Sequence, residues 1–141
     1  MKNCFYVLLL ATMVLACAKE EALSDNQLIA STEGKKWLLN EVIIDSSDIT
    51  SSLESCFLDN ERIFYSDNTY EITEGDTTCV GETDVTENGT WKFNDAKTTL
   101  KLAIGTDTTE YIIKELYKNQ MRLFFIDQST GNNVNWKLVT K

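Results

Sequence analysis

The sequence predicts an all-β protein, a single eight-stranded antiparallel up-and-down barrel preceded by a short helix. Three observations carry that reading. Beyond residue 35, eight runs rich in Thr, Val, Ile and aromatics recur, separated by turn residues at roughly 8–12-position intervals. Within the runs apolar and polar residues alternate, so each strand has one buried face. Most links are only a few residues long, which forces antiparallel neighbours, because a parallel pair needs a crossover of about a dozen residues. Short strands in hairpin order close into a barrel and leave no sheet edge. A two-sheet sandwich is the alternative, and it would need a Greek-key connection.

Length and composition bound the function. The 141 residues fit one domain, and 43% hydrophobic with 10% aromatic residues is too apolar for a disordered tail. Thirteen Lys and Arg against 22 Asp and Glu leave a net charge of −9, so no nucleic-acid partner is expected. The chain has no His, which removes Ser-His, Cys-His and His-zinc sites together. There is no Gly-x-Ser-x-Gly elbow, P-loop or dinucleotide glycine pattern. A non-enzyme is expected, with no catalytic residue, no metal site and no cofactor.

In chain order, residues 1–3 carry one positive charge and residues 4–16 are almost wholly apolar. Such a run falls short of the ~20 residues a helix needs to cross a ~30 Å hydrocarbon core. Followed by small residues, it reads as a secretory signal. The boundary Val14-Leu15-Ala16-Cys17 resembles the bacterial lipobox, in which the signal is cut before a Cys that is then acylated. Leu15 stands where a smaller residue is commoner. Lys19-Glu20-Glu21, just after that Cys, is similar to the surface-export signal of Bacteroidota lipoproteins. These resemblances imply lipidation at Cys17 and an outer-membrane anchor, each buried CH₂ adding ~0.8 kcal/mol. They also imply a surface-exposed location. The expected organisation is a signal over 1–16, a lipidated tether with a short helix over 17–33, and the barrel over 34–141.

Cysteine use follows from that reading. Cys4 leaves with the signal and Cys17 carries lipid, so Cys56 and Cys79 remain. Outside the cytoplasm the expectation is a disulfide between them, with free thiols or a redox role as the alternative. Zinc would need further ligands, and no His supplies them.

The helix starts at a capping box, Ser24 followed three residues later by Gln27, and is expected to end near Gly34. The predicted strands are 36–45, 61–65, 69–73, 86–93, 99–104, 110–116, 121–127 and 133–140. Connection 46–60 is the long one, and 74–84 is irregular. Alternation places Trp37, Phe64, Tyr70, Trp91, Phe93, Phe125 and Trp136 inward. The runs Ile112-Ile113 and Leu123-Phe124-Phe125-Ile126 are apolar on both faces, which requires an exposed stripe or a cover by the helix.

The order of motifs suggests a family. Gly34-Lys35-Lys36-Trp37 opens the barrel and Gly89-Thr90-Trp91 recurs mid-chain. Between them stand Cys56, Asp59, the aromatic hairpin of Phe64 and Tyr70, and Cys79. Tyr111-Ile112 and Leu116 follow. This order resembles the lipocalin-like domains of Bacteroidota lipoproteins over about residues 34–140. The Gly-x-x-Trp start is similar to the Gly-x-Trp that begins calycins, one residue longer here. The resemblance implies an eight-stranded barrel, a lipid anchor, and Trp37 packed across the closed end of the barrel.

An eight-stranded barrel is either filled by its side chains or holds one small ligand. Both readings stand at this level. If a small hydrophobic ligand binds at the barrel mouth, Phe64, Tyr70, Phe125 and Trp136 are the residues expected to meet it, with the acidic connection 46–60 as a lid. If the core is solid, the barrel is a scaffold whose loops bind a protein or glycan partner. The acids of 45–61 and 71–87 read as a solvated rim, since their spacing matches no EF-hand. Asp76-Thr77-Thr78 and Asp107-Thr108-Thr109 resemble the Asp-Thr-x O-glycosylation acceptor of Bacteroidota, which marks Thr77 and Thr108 in predicted loops.

Overall fold

A computed structural model describes residues 23–79 and 86–141. Helix α1 (Asp25–Ile29) is followed by strands β1 (Lys35–Ile44) and β2 (Ser47–Asp48), a 3₁₀ turn (Thr50–Ser52) and helix α2 (Ser55–Leu58). The remaining strands are β3 (Glu61–Phe64), β4 (Thr69–Thr73), β5 (Glu87–Phe93), β6 (Thr99–Ile104), β7 (Asp107–Leu116), β8 (Gln120–Ile126) and β9 (Asn133–Thr140). Every strand pairs antiparallel with the next in sequence, apart from the short β2. The ring closes because β1 pairs with β9 from Trp37↔Thr140 to Ile44↔Val134. This is the eight-stranded up-and-down barrel, with β2 as an extra hairpin arm on β1. Closure without a Greek key excludes the sandwich.

One end is plugged. The capping box forms, with the Ser24 hydroxyl accepting from the Gln27 N–H and the Gln27 side chain accepting from the Ser24 N–H. The helix nevertheless stops at Ile29, five residues short of Gly34. Ala30 turns extended, and Ile29 and Ala30 are buried in the barrel end. A helix of five residues has no stability of its own; burial of this plug holds it there. The indole N–H of Trp37, fully buried, donates to the Ile29 carbonyl at 2.8 Å. The tryptophan thus spans the closed end, as the family resemblance implied. Above it Phe64, Leu100, Met121 and Leu138 fill the lumen, each 1% exposed or less.

Two boundaries differ from the expectation, and one open alternative is decided. Connection 46–60 is not a plain loop: Asp45 and Ser46 both take positive φ, which matches the twist of a tight hairpin and creates β2. Strand β7 begins at Asp107, because the two-residue turn Gly105-Thr106 lets Asp107 pair with Ile104. Thr108 therefore lies on a strand, exposed, and not in a loop. The doubly apolar runs are resolved by an exposed stripe and not by the helix: Ile112 and Ile126 are 44% and 50% exposed, while α1 covers the barrel end. Among the described residues no helix is long and apolar enough to cross a membrane.

Candidate functional site: the barrel mouth

At the end opposite α1 the lumen is not filled. A cavity of about 220 Å³ opens there, walled by Tyr70 and Ile72 of β4, Leu102 of β6, Tyr111 of β7, Trp136 of β9 and Arg62 of β3. Glu87, Asp107 and Thr109 stand at the same mouth. Strand parity puts these side chains inside. Arg62 sits opposite Trp37 on one side and Ile72 on the other, and both of those positions face the lumen. Larger hollows, about 710 and 600 Å³, lie on the surface beside Lys35 and Lys118 and beside Ile112 and Ile126. Neither has a buried charged group in its lining.

Arg62 is the unusual member. It is 7% exposed, and Glu61 is the other charged residue buried to that degree among the described residues. Glu61 accepts from Lys36 at 2.6 Å and Lys141 at 2.5 Å. Arg62 has no carboxylate oxygen within 4.0 Å among the described residues. Its one hydrogen bond there runs from Nη1 to the Asn60 carbonyl at 3.5 Å, beyond the usual 2.7–3.2 Å range. The guanidinium lies over the Trp136 ring, 5.0 Å from its centroid, in the cation–π range. Burial pushes the Tyr70 phenol well above its ordinary value and raises the Tyr111 phenol, against the pull of the Arg62 charge. Both stay protonated at physiological pH, so the two tyrosines that line the cavity are neutral.

The four residues expected to meet a ligand separate. Tyr70 and Trp136 line the cavity. Phe64 lies deeper, 1% exposed, with its ring 4.7 Å from Tyr70 and 5.9 Å from Trp91. Phe125 backs the wall, its ring 5.0 Å from both Tyr111 and Trp136. Arg62 and Tyr111 complete the site and escaped the sequence reading. The signal was present: Phe64 fixes the inward parity of β3, and Arg62, two positions earlier, shares that face.

Two connections at the mouth are tied together. Cys56 in α2 and Cys79 form a disulfide with Cα atoms 5.3 Å apart, which settles the choice between a disulfide and free thiols. Beside it the Thr77 N–H and hydroxyl donate to Asp59 Oδ2 at 3.1 and 2.7 Å. Thr77 is exposed, as a modification acceptor must be, but its hydroxyl is engaged. The Glu54, Cys56 and Cys79 group holds ligand-type atoms close together, yet both sulfurs are consumed by the disulfide. Cys17, expected to be lipidated, lies outside the described residues.

A closed eight-stranded up-and-down barrel, plugged at one end and hollow at the other, fits a lipocalin-like fold. Residues 12–130 match the family described as Domain of unknown function (DUF5004), and the chain belongs to that family. No curated protein matches the chain.

Proposed function

We propose that this protein is a non-catalytic binding protein, anchored to the outer membrane through lipid on Cys17 and exposed at the cell surface, whose barrel mouth takes one small ligand. The observation that carries the reading is the aromatic-walled cavity of about 220 Å³ above a solid core. It is smaller than the ~300–1,000 Å³ typical of drug-sized ligand sites, so the ligand is small. The anchor supports the same orientation. Cys17 precedes Ser24 by seven residues, a reach of at most about 25 Å at full extension. Because α1 lies across the closed end, such a tether keeps that end near the membrane and turns the mouth outward.

Native mass spectrometry of the full chain tests the binding reading. A stoichiometric added mass that leaves on unfolding is expected; a bare protein that stays bare after incubation with mixed small amphiphiles would sink it. The anchor is tested separately, by incorporation of labelled palmitate that Cys17→Ala abolishes. A scaffold role through the loops is the second reading. It is favoured by the completeness of the lower core and by the exposed Ile112 and Ile126, with half-buried Phe124 between them, on the outer wall.

A further inference from the structure

We propose that Arg62 makes the mouth an anion site, and that its ligand is a small monocarboxylate with a flat apolar body. The inference deepens the binding reading above and rests on it. A buried guanidinium is ordinarily paired, because its desolvation is otherwise uncompensated. Arg122, about one-third exposed on the outer wall, contacts Glu41 at 2.7 Å and Glu115 at 3.6 Å. Arg62 is far more buried and holds only the long contact to the Asn60 carbonyl among the described residues. Of its five N–H donors, four therefore have no partner among the described residues and are left for a guest. The guanidinium is already held in place, its central carbon 5.0 Å from the Trp136 ring centroid.

That geometry suits a carboxylate, which takes two parallel N–H bonds from one guanidinium. Tyr70, Tyr111 and Trp136 offer ring surfaces to a flat body beside it. The solid packing of Trp37, Phe64 and Met121 below leaves no channel for a long acyl chain. Glu87 and Asp107 at the same mouth weigh against multiply charged anions, which they would repel. A single negative charge, inserted carboxylate first, fits this distribution.

The test uses the full chain and a panel of aromatic acids such as benzoate and phenylacetate, each paired with its neutral primary amide. Binding is followed by Trp fluorescence and by ligand-observed NMR at millimolar concentration. The acids are expected to bind at least about tenfold tighter than their amides. Arg62→Met should abolish that preference, bringing the affinities of each acid and its amide within about twofold of one another. Arg62→Lys keeps the charge but loses the fork and should fall between. A thermal melt of ligand-free Arg62→Met adds a readout independent of the panel, with an unfolding midpoint no lower than that of the parent expected, because an uncompensated charge has been removed. Amides that bind as well as acids, or an acid preference that survives Arg62→Met, would overturn the anion site while leaving the mouth as a binding site. A panel in which neither acids nor amides bind would overturn both. A lowered midpoint together with lost amide binding would make Arg62 a structural residue and overturn the proposal.

Discussion

Gly89 shows how a single atom limits this barrel. A Cβ at that position would stand 2.1 Å from the Ala103 carbonyl oxygen on the neighbouring strand, a backbone atom that cannot rotate away. Gly34 is restricted twice, by φ of +86° and by Ile63 and Tyr65 side-chain atoms 2.7 Å from any added Cβ. Its neighbours are flexible side chains, so part of that clash can relax. Gly89→Ala is therefore expected to cost about 2–3 kcal/mol, seen as a lowered urea midpoint at constant slope. Gly105→Ala, with open space around its Cβ, is the control that isolates backbone strain from collision.

Individual elements draw their stability from partners distant in sequence. Helix α1 is too short to persist alone and exists because Ile29 and Ala30 close the barrel. Helix α2 and the connection after β4 are joined by the Cys56–Cys79 bond across a sequence separation of 23. In the chain-entropy account such a loop adds about 3 kcal/mol. Replacing both cysteines by serine should lower the unfolding free energy by roughly that amount while the far-UV β signal persists, and reductant should do the same to the parent. An unchanged midpoint would mean that the contacts of Asp59 with Thr77 hold these connections without the disulfide.

For the whole molecule, the weak place is the seam. Strand β1 meets β3 through only three register pairs, Lys35↔Phe64, Lys36↔Ile63 and Trp37↔Arg62, whereas it pairs with β9 along most of its length. Glu61 reinforces the short side, accepting from Lys36 in β1 and from Lys141 after β9. Burial works against its charge, but the hydrogen bonds from Lys141 and Lys36 outweigh it and hold the carboxyl below its ordinary value of 4.5. A depressed acid stabilises the fold fully above the unfolded-state value and loses that contribution as pH falls through the folded one. The parent should therefore be more stable than Glu61→Gln at neutral pH. Their gap should close only below about pH 4.5, with amides of β1 and β3 exchanging first as it closes. Comparing the two variants removes the general effect of discharging an acidic protein, which is the same in both.

Much of this architecture was written locally. The alternation that buries Trp91, Tyr70 and Leu138, the turn residues between strands, the capping box at Ser24 and the all-β class depend on neighbours a few positions apart, so the sequence alone determined them. Strand limits drifted by more than one residue only where a turn could be tighter than its composition announced, as at Gly105-Thr106, and Asp45-Ser46 likewise added the short β2. The site was half legible. Tyr70 and Trp136 were found because large aromatics on an inward face are conspicuous, while Phe64 and Phe125 share that pattern but occupy the packed floor and the wall behind. Which inward residues line a hollow depends on how far the plug rises and where each tilted strand ends. The tertiary structure alone decided that, and it alone brought Arg62 over the Trp136 ring, 74 positions away in the chain, with no carboxylate oxygen within 4.0 Å among the described residues. Periodicity sets the side of the wall on which a residue falls; only closure of the ring sets what it meets there, because those contacts join residues that share no local pattern.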